Sequence, residues 1–269
     1  MKAIITGASS GMGAEMARIL SRKGYDVVLV ARTRENLEKV AEGIKTKVDV
    51  VPLDLTIEAN CYKLYDMYKD EDIDIFINCA GSGVYGFLDK TNMEDELQSI
   101  KLDVIAVQIL TKLFYEKFMR ENKGRIMNVS SIAAFQPGPL MASYYASKVY
   151  VYSLTIALYE EIRRRKRNVK VHVLCPGPTK TNFIKKCGVS FAVKEMSCKY
   201  VCEYAIKQMF KDKLIIIPGK LYKLMKFAER FSPETFTIKF EYRMQKKKVD
   251  RLVKQEKRRA KLESKKQVK

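Results

Sequence analysis

The chain has 269 residues, 47% of them apolar, and a formal net charge of +20. That length and apolar share suit one large domain with a buried core and argue against a disordered chain, and no apolar run approaches the ~18 residues of a membrane-spanning helix. The charge is uneven, because Arg243–Lys269 carries 13 Lys/Arg against 3 Asp/Glu, a net +10 in one terminal stretch.

In chain order, "KAIITG" is a short apolar run ending in glycine, and "MGAEMARILSRKG" places apolar residues at helical spacing with Gly24 as a stop. "YDVVLVAR" reads as a buried strand and "TRENLEKVAEGIK" as an amphipathic helix capped by Thr33. Strand "VDVVPLD", helix "ANCYKLYDMYKD" and strand "IDIFINCAG" follow, then one long helix through "LQSIKLDVIAVQILTKLFYEKFMREN". Strand "GRIMNVSS", a helix from about Ser143 to "RRRKR", strand "VKVHVLCPG" and a last strand at "LIIIPG" complete the series. Continuous apolar strands alternating with helices argue for a single-domain α/β architecture, a Rossmann-like doubly wound parallel sheet of about seven strands with helices on both faces. The expected division is 1–235 for the dinucleotide-binding and catalytic domain and 236–269 for a basic extension. The chain opens on a strand rather than a signal peptide, so a cytoplasmic location is the expectation.

Cys61, Cys79, Cys175, Cys187, Cys198 and Cys202 form no CxxC pair, and the single histidine, His172, lies within an apolar run. Buried or incidental thiols and no metal site are expected. Arg163–Arg167 sits at a helix C-terminus, where cations complement the helix dipole. Thr179–Met196, with Phe183, Ile184, Val189 and Phe191, follows a strand end and is read either as a flap over a site or as a surface helix.

"TGASSGMG", Thr6–Gly13, follows a strand and opens a helix, the context in which a glycine loop binds phosphate. Gly7 suits the tight turn, while Gly11 and Gly13 let the backbone approach a pyrophosphate. "SYYASK" places a lysine four residues after Tyr144 and three after Tyr145, and both spacings put the pair on one helix face. Spacing alone leaves both tyrosines open.

With the GxxxGxG turn, "NCAG" at Asn78–Gly81 and the tyrosine–lysine pair in that order, the chain resembles the short-chain dehydrogenase/reductase family from about residue 2 to residue 218. The family's tyrosine follows its active serine by 13 residues, and its YxxxK motif selects Tyr144 with Lys148, and hence Ser131. The resemblance implies hydride transfer between an alcohol and a ketone. Tyr144 would be the general acid/base, its phenolate favoured by Lys148, and Ser131 would hydrogen-bond the substrate oxygen. It also implies dinucleotide contacts from Gly7, Ser9, Ser10, Gly11, Met12 and Gly13 in the first turn. Asp54 and Leu55 would lie near the adenine; Ala80 and Gly81 would contact the cofactor, with Asn78 supporting the sheet beside it; and Lys148, Pro176, Gly177, Thr179 and Thr181 would lie at the nicotinamide and its ribose. One position departs from the family: Asp103 stands where an asparagine usually joins the proton relay, and it is read either as an ion-pair partner of Lys148 that alters the pH profile or as a plain substitution of little consequence.

Dinucleotide-binding strands that prefer NAD end in a carboxylate that pairs with the ribose hydroxyls. Here the second strand ends in Ala31 and Arg32, and a guanidinium suits a 2′-phosphate, so NADP(H) is the expected cofactor. The apolar residues after Ser131 point to a bulky apolar substrate. Within the resembled family that means a hydroxysteroid or bile acid, or else a 3-oxoacyl compound. A cofactor-sensing protein without turnover is the alternative of another class. The resemblance further implies a homodimer or homotetramer through the helices around Leu97–Asn122 and Ser143–Arg167. The basic tail reads as a solvated extension or as a weak contact with an anionic membrane; no nucleic-acid motif accompanies it.

Overall fold

Seven strands form in the computed structural model: β1 (Lys2–Thr6), β2 (Asp26–Ala31), β3 (Val48–Pro52), β4 (Ile75–Asn78), β5 (Arg125–Val129), β6 (Lys170–Leu174) and β7 (Ile215–Ile216). The structure describes residues 1–181, 183, 195–229, 231–233, 235–239, 241–243 and 246. Every strand pairing is parallel, and the order is β3-β2-β1-β4-β5-β6-β7. Between β1 and β4 the chain reverses its direction of travel across the sheet, which opens a crevice at the strands' C-terminal ends.

Alternate strand residues feed two cores because successive side chains point to opposite faces. Ala3, Ile5, Val27 and Leu29 pack with α1 (Gly11–Arg22), α2 (Arg34–Ala41) and α7 (Cys198–Met209) on one side. Ile4, Val28, Val30 and Phe76 pack with α3 (Glu58–Tyr68), α5 (Val107–Glu121) and α6 (Ala142–Arg164) on the other. Burial on both faces explains why the strands read as continuous apolar runs instead of alternating ones. Phe76 and Phe114 stack with centroids 4.0 Å apart at the centre of the second core.

Three local expectations change. The long helix starts earlier and is not α-helical throughout: α4 spans Met93–Ile100, a π-helical stretch continues it over Lys101–Ala106, and α5 follows without a break. Asn92 sets the start, its side-chain oxygen accepting the Glu94 and Asp95 N–H groups at 2.8 and 3.3 Å. Thr33 occupies the N-cap position of α2 in extended backbone but makes no side-chain cap. The last strand is only two residues long.

His172 is a core histidine, with its Nδ1 2.8 Å from the Lys213 carbonyl oxygen. The five described cysteines are free, and the described residues contain no group of three or more metal-ligating side chains. Arg163 and Arg164, at the end of α6, pair with Glu160 at 2.7 and 2.8 Å, as a solvated helix end does. No helix among the described residues is long and apolar enough to cross a membrane. Of the segment read either as a flap or as a surface helix, Ile184, Val189 and Phe191 lie outside the described residues.

Candidate active site

A cleft of about 1320 Å³ occupies the crevice, bounded by the first turn, the ends of β2, β4, β5 and β6, and helices α4 and α6. At its phosphate end the backbone is drawn in closely. Gly7 has φ +67°, and a Cβ there would lie 2.8 Å from the Ala80 backbone. A Cβ on Gly13 would lie 2.4 Å from the Gly7 carbonyl oxygen, so neither position accepts a side chain. Thr6 ties the turn to β4, its hydroxyl oxygen accepting the N–H groups of Cys79 and Ala80 at 3.0 and 3.1 Å. The turn opens directly onto the N-terminus of α1, whose first N–H groups are available to an anion. This cradle of bare backbone against a helix start fits a dinucleotide pyrophosphate.

Of the residues expected at or beside the cofactor, all line the cleft except Asn78. Asn78 lies beneath the sheet ends and donates from Nδ2 to Thr111 Oγ1 at 3.0 Å and Asn128 Oδ1 at 2.9 Å. It therefore braces β4 against β5 and α5 instead of facing a ligand. Asp54 lines the cleft while its Oδ1 accepts from Thr56 N and Oγ1 at 3.0 and 2.8 Å, which orients the loop after β3. Arg32 projects from the end of β2 with its side chain 67% exposed, 3.9 Å from Asp54.

At the other end, α6 presents Tyr144 and Lys148 to the cleft, and the ammonium lies 5.4 Å from the Tyr144 ring centroid. Tyr145 also lines the cleft, but its hydroxyl donates to Glu241 Oε1 at 2.7 Å. Ser131 follows β5 as the cap of a short 3-10 turn (Ile132–Phe135), and its Oγ accepts the Ala133 N–H at 3.1 Å and donates to the Pro176 carbonyl at 3.5 Å. Ser130 behind it donates to the Lys148 carbonyl at 2.7 Å and joins β5 to α6.

The departure at Asp103 has a defined geometry. It lies in the π-helical stretch, is fully buried, accepts the Ser82 N–H at 3.0 Å on Oδ1, and holds Oδ2 3.3 Å from Lys148 Nζ. Burial pushes the Asp103 carboxyl above its ordinary value, against the opposing pull of Lys148 and the Ser82 N–H. Burial alone would lower Lys148, but Asp103, Tyr144 and Cys79 outweigh it, so the ammonium is held charged above its usual range. Gly81 lets the chain pass over this pair: a Cβ there would lie 3.1 Å from Asp103 Oδ1 and 3.3 Å from Lys148 Nζ.

Several lining residues gave no signal in the sequence. Glu241, from the stretch read as a solvated tail, is 9% exposed and accepts from Tyr145 and, at 3.0 Å, from Gln136. Tyr222 and Met225 come from α8 (Lys220–Glu229), and Gly177 has no Cβ because the Tyr222 ring would lie 2.5 Å from it. Phe183, from the segment read either as a flap or as a surface helix, packs on Tyr144 with centroids 5.4 Å apart.

The glycine cradle, the switch-point crevice and the tyrosine–lysine pair define a nucleotide-dependent oxidoreductase site. A profile of the short chain dehydrogenase family matches residues 1–188, and the chain belongs to that family. It is 33% identical over 195 residues to 17-beta-hydroxysteroid dehydrogenase type 3 of Mus musculus, covering 68% of this chain and 61% of that one. It is 30% identical over 171 residues to the very-long-chain 3-oxoacyl-CoA reductase of Homo sapiens, covering 61% of this chain and 55% of that one. The match thus spans little more than half the length of these two curated relatives. Among solved structures, a short-chain dehydrogenase from Sphingobium yanoikuyae in complex with NADPH superimposes with a TM-score of 0.76 at 26% identity, covering 85% of this chain and 93% of that one.

Proposed function

We propose that the protein is an NADP(H)-dependent oxidoreductase that interconverts a bulky apolar secondary alcohol, of hydroxysteroid or bile-acid type, and its ketone. The observation that carries this reading is the placement of Tyr144 over a buried, charged Lys148, with Ser131 at the strand end opposite, in a cleft whose far end is a phosphate cradle. A dinucleotide held in that cradle supplies the hydride donor or acceptor. Tyr144 gives a proton to the ketone oxygen or takes one from the alcohol, with the Lys148 charge favouring its phenolate. Ser131 donates to the same oxygen and steadies its developing charge.

NADP(H) over NAD(H) is supported by Arg32 at the end of β2, with no carboxylate at that strand end. The apolar substrate is supported by Ile132, Met141, Phe183, Tyr222 and Met225 around the cleft. A 3-oxoacyl thioester is the second reading, favoured by the net charge of +20, which suits a phosphorylated carrier. Val149, Tyr150 and Tyr159, exposed on α6, support pairing of two copies along that helix.

The test is NADPH oxidation followed at 340 nm against steroid and bile-acid ketones, 3-oxoacyl thioesters and small aldehydes, with Tyr144→Phe and NADH in parallel. Turnover of steroid ketones that disappears in Tyr144→Phe is the expected result. Undiminished turnover in Tyr144→Phe overturns the assignment of the proton donor, and tight NADPH binding without turnover of any class replaces catalysis with sensing.

A further inference from the structure

We propose that the outer face of α8 is a docking surface for an anionic lipid bilayer. The helix has two dissimilar faces. Inward, Tyr222 is buried and, with Met225, lines the cleft. Outward, Leu221, Leu224 and Phe227 are 56%, 63% and 61% exposed, and Phe231, just past the helix end, is 75% exposed. Their spacings of three, three and four residues align them as one stripe, and the Phe227 and Phe231 rings are in contact at 5.3 Å. Large apolar side chains scattered singly on a surface need no explanation, but a contiguous row of four does.

The charge around the stripe selects its partner. Lys223 donates to Tyr204 on α7 at 2.8 Å and Lys226 to Tyr152 on α6 at 2.7 Å, so the two lysines, three residues apart, follow one side of the helix next to Phe227. Lys220 is exposed at the start of the helix, and Lys220–Ala228 contains no acidic residue. An exposed apolar row that shares its face with Lys220 and has lysines along one side is the pattern of a helix lying in a membrane interface. A second copy fits less well, because a two-fold contact across α8 would oppose the same lysines on two chains that each carry +20. The stretch after this helix, with 13 Lys/Arg in Arg243–Lys269, adds attraction for an anionic surface. Since the inner face of the helix walls the cleft, docking there would bring the opening beside the apolar phase. The surface itself does not depend on which reaction the cleft performs.

The test is co-sedimentation of the full chain with vesicles of phosphatidylcholine containing about 30% phosphatidylserine, beside pure phosphatidylcholine. Wild type is expected to partition onto the anionic vesicles, and Leu224→Glu/Phe227→Glu to bind at least tenfold more weakly. Neither residue lines the cleft, so NADPH binding and the thermal midpoint of the double variant report an intact fold. Wild type left in the supernatant overturns the proposal. Binding unchanged in the double variant overturns it in favour of the basic tail alone. A wild-type dimer by light scattering that the double variant splits assigns the stripe to a second copy.

Discussion

Replacing Asp103 with asparagine removes one charge from the site while keeping an oxygen for the Ser82 N–H, which Asp103 accepts at 3.0 Å. The carboxylate is 3.3 Å from Lys148 Nζ, which is itself 5.4 Å from the Tyr144 ring centroid. The carboxylate thus lies within about 9 Å of that ring, where a unit charge at an effective dielectric of about 20 is worth about 2 kcal/mol, a little over one pH unit. Its sign opposes the lysine: Asp103 raises Lys148 and works against the phenolate that Lys148 favours. Ser147, Cys79 and the Ser82 N–H also face the pair, and all are retained in the variant. In Asp103→Asn the acid limb of the alcohol-oxidation profile, which reports proton loss from the catalytic phenol, moves down by about one pH unit. The alkaline limb also moves to lower pH, because burial then acts on Lys148 without its main counter-charge. The measurement is kcat against pH in the oxidation direction for wild type and variant. Limbs that stay within about 0.3 pH unit of wild type would refute the reasoning and mean that Asp103 carries a proton in the working enzyme.

Three further outcomes are expected. Arg32→Ala lowers the preference for NADPH over NADH by about tenfold, the worth of one charge-assisted contact from an exposed side chain, as read from fluorescence titrations with both nucleotides. Glu241→Ala removes the acceptor of both Tyr145 and Gln136, and raises KM for the ketone severalfold at about 1 kcal/mol per hydrogen bond, with kcat within about twofold. An equal fall in kcat and kcat/KM would place Glu241 at the chemistry instead. His172 is held neutral by burial, its pKa lowered to about 4 from 6.5. Because the unfolded chain takes up that proton first, stability is full above pH 6.5 and falls as pH drops towards 4. The loss reaches about 2.5 kcal/mol at pH 4.5, and His172→Asn, which keeps a donor for the Lys213 carbonyl, abolishes this part of it in urea unfolding at pH 7 and 4.5.

Much of the fold was legible because its causes are local and periodic. β1, β2 and β4 are buried on both faces, and no residue in them interrupts the apolar run. The glycines of the first turn were readable for a related reason: Gly7 and Gly13 occupy places where backbone contacts forbid a Cβ, whatever the rest of the chain does. Lys148 follows Tyr144 by one helical turn, a spacing that α6 then realises. The π-helical stretch had no such signature, because one extra residue per turn leaves the apolar pattern of "KLDVIA" looking helical.

The composition and spacing of this sequence determined the alternation of buried strands and helices that calls for a parallel sheet, the phosphate turn and the tyrosine–lysine spacing, since each of these patterns is carried by residues a few positions apart. Only the tertiary structure decided that Asp103 is buried at 3.3 Å from Lys148, where the resemblance left a pair and a plain substitution both open, and that Glu241 closes on Tyr145 from 96 positions away. Those contacts depend on where β4, α5, α6 and the C-terminal stretch pack, and a carboxylate in the chain carries no mark of the partner that folding will bring to it.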